Sequence, residues 1–342
     1  MKRLPNLIWP LIALVAMGFS FWLLNKDLKD MSFNDVLASL RAIPAQNYVF
    51  AGLSTLIAYG ALAWYDRIGL MHLGHEFSWP FISLVSFTTY ALSHNIGASM
   101  FTGGVVRYRA YSTKGLNIPE VAFLVAFCSF TFALGTILLG GLVLVFEPQI
   151  ITRMPGELPL WAGRLAGVVM LAFVMLYFIG STMNFKPLHF GKFTLVYPKI
   201  NVTLRQMVAA PIELLGAAGI IYFALPDTGN PGYFIVLGVF LASFSAGLLS
   251  HAPGGLGVLE ATFIHAMPDT PKPDVIAALL MFRFFYLLLP LLFSFVVVFY
   301  FERGQMRKAR AAGNTGLASL KQEAAKLSQE AREIRANKSA AP

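Results

Sequence analysis

Long apolar windows separated by short polar connections dominate the chain. Eight stand out, at about 6–24, 47–65, 79–95, 119–146, 160–182, 207–226, 232–250 and 275–300. Each is continuous and does not alternate apolar with polar positions. About 20 apolar residues in a helix cross the hydrocarbon core of a bilayer, whereas a membrane β-barrel needs alternation with a period of two. The pattern therefore predicts an all-α integral membrane protein. Residues Ser32 to Arg41 differ, because Phe33, Val36, Leu37 and Leu40 recur at helical spacing among polar neighbours. That predicts a short amphipathic helix lying in the interface. Two glycine-rich apolar segments, Ile96 to Tyr111 and Ala252 to Met267, do not read as full spans.

Those two segments point to a duplication. Ser93-His94-Asn95-Ile96-Gly97 and Ser250-His251-Ala252-Pro253-Gly254 both end a long apolar helix with Ser-His and break it at glycine. Pro119-Glu120-Val121 and Pro273-Asp274-Val275 then open the next spans, at offsets of 157 and 154 residues. The expected repeats run over about 1–146 and 160–303. Arg107, Arg109 and Lys114 follow the first break and Lys186, Lys192, Lys199 and Arg205 lie between the fifth and sixth windows, while loop 226–231 carries only Asp227. Basic loops belong in the cytoplasm. If 79–95 and 232–250 both crossed fully, the lysine-rich loop would fall outside. The charges fit six full transmembrane helices plus two re-entrant helical hairpins, 79–112 and 232–268, with both termini cytoplasmic. This is the inverted-repeat arrangement of many secondary transporters, where broken helices mark a midplane site. Limbs of 17 to 19 residues, roughly 26–28 Å of helix, are long for half a span.

Composition narrows the function. The chain has 342 residues, 57% hydrophobic and only 13% charged, outside the range of soluble domains, and no soluble stretch is long enough to be an enzyme. Net charge is +9, and from Arg303 onward nine Lys or Arg face three Glu. Residues 304–342 read as a basic amphipathic cytoplasmic tail, placed against an anionic leaflet and not on nucleic acid. Leu317, Leu320, Ala324, Leu327, Ala331 and Ile334 follow a heptad seam, which serves either a homodimer or a lone surface helix. Met1-Lys2-Arg3 and the apolar run after it resemble a signal peptide, but the run is too long, and an uncleaved first span is expected. The one cysteine, Cys128, has no disulfide partner and reads as a packing residue.

Ionisable side chains inside spans are functional candidates by default. Arg283 sits in the last span between Phe282 and Phe284, near Tyr286, and needs an anion: Glu213, Glu260 or a substrate phosphate. A structural ion pair is the bland alternative. Asp66 and Arg67 close the second window at the expected headgroup level. His94, Asn95, His251 and Pro253 lie where helices break, as either hydrogen-bond partners of freed carbonyls or substrate contacts. Thr102, Gly103 and Gly104 precede Arg107 and Arg109, which could grip a lipid phosphate bidentately or anchor topology. Gly254, Gly255 and Gly257 form no dinucleotide motif, since no strand precedes them. The histidines show no metal-ligand spacing, and no catalytic, cofactor or metal machinery is visible.

The run Leu92 to Gly97 with Thr102-Gly103-Gly104-Val105-Val106-Arg107-Tyr108-Arg109 resembles the lysylphosphatidylglycerol synthase transmembrane region family. So do Pro253-Gly254-Gly255-Leu256-Gly257-Val258-Leu259-Glu260 and Arg283-Phe284-Phe285-Tyr286-Leu287-Leu288-Leu289-Pro290, and the resemblance covers roughly 5–303. It implies a bacterial inner-membrane protein that moves a lipid between leaflets, without the separate synthase domain of the multiple peptide resistance factor. The implied partner is a membrane lipid: either an anionic or aminoacylated phospholipid such as lysyl- or alanyl-phosphatidylglycerol, made by a separate lipid-modifying enzyme, or another phospholipid or a glycolipid. Two other readings stand beside this one. The first is a non-transporting scaffold that docks such an enzyme. The second is a membrane-embedded enzyme built on His94, His251 and Glu260.

Overall fold

The computed structural model describes residues 32–96, 99–153, 158–183, 188–190, 193–195, 198–249 and 255–306. The expected first span, the His251-Pro253-Gly254 break and the tail beyond Met306 lie outside them. The described chain is helical except for a two-stranded antiparallel hairpin, β1 (Leu188–Phe190) and β2 (Phe193–Leu195), which the apolar pattern did not predict. In order, the helices are α1 (Phe33–Ala42), α2 (Ala45–His72), α3 (Trp79–Ile96), α4 (Ser99–Tyr111), α5 (Ile118–Phe146) and α6 (Leu160–Thr182). After the β-hairpin come α7 (Ile200–Ala224), α8 (Tyr233–Leu249), α9 (Val258–Ala266) and α10 (Lys272–Phe282). From α10 the chain passes through a π-helical stretch, Arg283–Leu288, and stays helical to Met306. The described residues fall into two units, divided after Ser294.

Among these residues five helices are long and apolar enough to cross a membrane: α2, α5, α6, α7 and Lys272–Met306. They coincide with five of the six full spans expected. Their boundaries follow local chemistry. α1 starts at a capping box in which Ser32 and Asp35 satisfy each other's backbone N–H groups. α5 starts at another, where Asn117 Oδ1 accepts from Glu120 N at 3.0 Å and Glu120 Oε2 from Asn117 N at 2.9 Å. α1 buries none of its residues, as an interfacial helix should.

Two pairs of helices double back. α3 and α4 run antiparallel: Tyr111 stacks on Phe77, Arg107 lies over the Tyr90 ring at 4.9 Å, and Gly103 meets Ser93. α8 and α9 do the same, with Gly247 against Gly255 at the turn and Thr270 Oγ1 bonded to Gly229 O at 2.7 Å where the limbs end. Gly255 and Gly257 have φ of +63° and +84°, conformations in which a side chain would be strained.

The hairpins open at opposite ends of the bundle. At one end His75 bonds Glu120 at 3.0 Å, Arg205 reaches Met71, and Ser181 bonds Pro198 O at 2.6 Å. This basic end, with Lys114 and Lys199 on its connections and Arg109 and Arg205 on the adjoining helix turns, is where α3 begins and α4 finishes. At the other end Arg153 bonds Asp269 at 3.0 Å and Ala266 O at 3.2 Å. This acidic end, with Glu147, Asp227, Asp269 and Asp274, is where α8 begins and α9 finishes.

Close backbone approach holds the centre, as expected where packing and not water drives helix association. A Cβ at Gly216 of α7 would lie 2.9 Å from Ser54 O and 3.1 Å from Ala58 N of α2. Gly219 faces Ser54 as well, so α2 and α7 cross antiparallel with their backbones in contact. Gly135 makes the same kind of contact with Ala210, tying α5 to α7.

Candidate functional site

Asp66 is not an exposed charge at a helix end. α2 continues to His72, which carries Asp66 into the bundle, where it is 0% exposed. Arg107 of α4, 3% exposed, grips it with Nη2 at 2.7 Å and Nε at 3.2 Å from Oδ1, and Tyr111 donates to Oδ2 at 2.9 Å. The Cys128 thiol lies 3.5 Å from Oδ1. Arg107 is thus a buried tie between the first hairpin and α2, not an exposed side chain. Arg109, two residues on, is exposed at the basic end. Gly103 stands where a Cβ would crowd Ser93, Thr89 and Arg107, so the glycine pair allows the limbs to approach. Thr102 and Gly104 flank it, and Gly104 faces Val125.

The second cluster centres on the π-helical stretch, and Pro290 accounts for its position. A proline inside a helix has no N–H for the carbonyl four residues earlier and its ring pushes that carbonyl away. Here that carbonyl belongs to Tyr286. The turn widens, with Leu289 N–H bonding Phe284 O, and the freed oxygens take side-chain donors. Tyr59 OH of α2 donates to Tyr286 O at 3.0 Å, and Asn95 Nδ2, at the tip of the first hairpin, donates to Leu287 O at 3.1 Å. The Tyr286 phenol in turn donates to Glu213 at 2.7 Å, and Tyr65 approaches the other oxygen at 3.4 Å. Glu213 is 1% exposed and held by phenols. His94 stacks on Tyr286 with centroids 5.4 Å apart and meets Phe244 of the second hairpin edge-on at 6.0 Å.

Arg283 opens the π-helical stretch and selects Glu260, not Glu213: its Nε lies 2.6 Å from Glu260 Oε1, and its Nη2 also pairs with that oxygen. Glu260 Oε2 accepts from Gly257 N at 2.8 Å, so the carboxylate also caps α9. One helical stretch therefore receives both hairpins, the first through Asn95 and His94, the second through Glu260 and Phe244. Tyr59, Tyr65, Tyr111 and Pro290 belong to the clusters and carried no role in the sequence analysis, and Asp66 was expected only as a headgroup-level charge. Pro290 was the available signal, since a proline 16 residues short of the end of a helical run marks a freed carbonyl. A separate buried network, Tyr177 to Gln206 at 2.8 Å and Gln206 to Thr131 at 2.8 Å, staples α6, α7 and α5. Among the described residues no three His, Cys, Asp or Glu side chains converge as a metal site would require.

These features define a polytopic helical membrane protein with a few ionisable side chains, Asp66, Arg107, Glu213, Glu260 and Arg283, held inside the bundle and paired across helices. Comparison with known sequences goes further. The chain belongs to the lysylphosphatidylglycerol synthase transmembrane region family, whose pattern matches residues 10–294. It is 30% identical over 310 residues to an uncharacterised protein of Synechocystis, covering 87% of this chain and 94% of that one. Identity to the inner membrane protein YbhN of Escherichia coli is 31% over 275 residues, covering 77% of this chain and 82% of YbhN. A phosphatidylglycerol lysyltransferase of Staphylococcus aureus matches at 23% over 296 residues, 85% of this chain but only 34% of that protein. The chain is a multi-pass inner membrane protein.

Proposed function

We propose that this protein moves a phospholipid between the two leaflets of the inner membrane, with phosphatidylglycerol or its aminoacylated form as the first cargo to test. The observation that carries the reading is the meeting of two hairpins, opened at opposite ends, on one π-helical stretch beside Glu213. Broken helices that enter from opposite sides and converge at mid-depth are how inverted-repeat transporters build an alternating site. The antiparallel crossing of α2 and α7, which hold corresponding places in the two halves, supports that relation.

On this reading the hairpins are re-entrant and the basic end faces the cytoplasm. Arg109 and Lys114 meet the headgroup phosphate there. The ties Arg107–Asp66 and Glu260–Arg283 hold each hairpin to a long helix, so that one hairpin parts from the bundle while the other stays locked. The name of the staphylococcal relative puts phosphatidylglycerol first among the lipids. The chain acts as a transporter and not as a synthase.

A leaflet-access assay tests this. Purified protein goes into liposomes carrying fluorescent phosphatidylglycerol or its lysyl ester, and a quencher is added outside. The wild type should expose the inner pool of at least one of the two, and a folded Arg283→Ala variant should lose that activity. A wild type that moves neither lipid overturns the assignment of cargo. Full activity in the folded variant overturns the role of the Arg283–Glu260 tie.

A further inference from the structure

Serine and threonine inside helices usually satisfy their hydroxyls by bonding back to the carbonyl one turn earlier. Thr55, Thr88, Ser129, Thr136 and Thr262 all do so here, at 2.8–3.0 Å. Three hydroxyls of α3 do not. Ser86, Thr89 and Ser93 are 0%, 0% and 2% exposed, yet none of their oxygens meets a hydrogen-bond partner among the described residues. Nor does Nδ1 of His94, the next residue along.

Spacings of three and four place Ser86, Thr89 and Ser93 in one stripe of the helix. The stripe faces the other limb of the hairpin: a Cβ at Gly103 would lie 3.0 Å from Ser93 Oγ, 3.3 Å from the Thr89 methyl and 3.2 Å from Arg107 Nη1. Tyr90 borders it, under the Arg107 guanidinium. The stripe starts toward the basic end and finishes at His94, against Tyr286.

We infer that this seam between α3 and α4 holds a file of ordered water, running from the basic end to the π-helical stretch. Buried hydroxyls are almost always hydrogen-bonded, and a buried water that makes two to four bonds is the usual partner where protein supplies none. A headgroup does not fit the seam, because at Gly103 even one added methyl would crowd Ser93, Thr89 and Arg107. Charge agrees, since Asp66 offsets Arg107 and the seam offers dipoles and no net charge to its ligand. The file does not depend on lipid being the cargo.

X-ray hydroxyl-radical labelling of the full chain in lipid nanodiscs tests the file, because radicals form from water lying against a side chain. Tyr90 and His94 are the reporters. Phe132 and Phe285, half-buried as both reporters are, serve as the controls. The reporters should be modified several-fold faster than the controls, because water lies within bonding distance of them. In a variant carrying Ser86→Ala, Thr89→Val and Ser93→Ala they should fall to the control rate. Thermal unfolding of Ser93→Ala gives a second reading: loss of a bond to water lowers the midpoint, whereas removal of an orphaned hydroxyl raises it. Reporters no faster than Phe132 and Phe285 in the wild type, or a raised midpoint, would overturn the proposal.

Discussion

Asp66 and Arg107 illustrate how a charged residue changes meaning with a few residues of helix. Asp66 ends the apolar window, so its sequence position suggested the headgroup level, yet two further turns of α2 bury it completely. The sequence marked Glu213, Glu260 and Arg283 as candidates because ionisable groups in apolar runs are rare. It could not choose Arg283's partner, since that depends on which helix faces which. A buried ion pair is costly to break, because the survivor is left charged and unpaired, and losing one partner costs about 3–5 kcal/mol. Asp66→Ala and Arg107→Ala should each lower the thermal midpoint of the detergent-solubilised protein sharply. Leucine at both positions should restore most of the loss. A double variant as unstable as either single would mean that the pair adds net stability beyond cancelling its own burial cost.

Among the elements, lengths and capping signals were the most legible part of the chain. Continuous apolar runs fixed five of the spans, and the paired Ser-His breaks located the first hairpin turn at residues 96–99. The β-hairpin at 188–195 was invisible because its strands are three residues each, too short for any periodicity to register. The π-helical stretch was encoded by Pro290 but needed the partners of the freed carbonyls, Tyr59 and Asn95, before it had a meaning. Pro290→Ala returns an N–H to Tyr286 O and should draw the turn back toward α-helix. The helix gains stability, by up to about 3 kcal/mol, the usual cost of an interior proline. Lipid movement should fall at the same time, because Tyr286 is drawn off Glu213. A rise in thermal midpoint with undiminished movement in liposomes would separate the π turn from function.

On the scale of the whole molecule, the charged connections sort onto two ends, and the sequence showed this through its loops before any contact was known. A labelling experiment can assign the ends to sides of the membrane. Cys128 is buried against Asp66, so it leaves a low background for an impermeant maleimide. Lys114→Cys should react only from the cytoplasmic face and Asp227→Cys only from the opposite face. Labelling of both from one face would contradict the opposed hairpins. The backbone contact of Gly216 with Ser54 and Ala58 bears on direction. A crossing that tight resists sliding, so on the proposed transporter reading α2 and α7 would be a stator around which the hairpins turn. If the two halves are inverted copies, as proposed, that stator carries no arrow. Net flow in such a machine is set by where its cargo is made and consumed, and the same protein would run backwards if those two faces were exchanged.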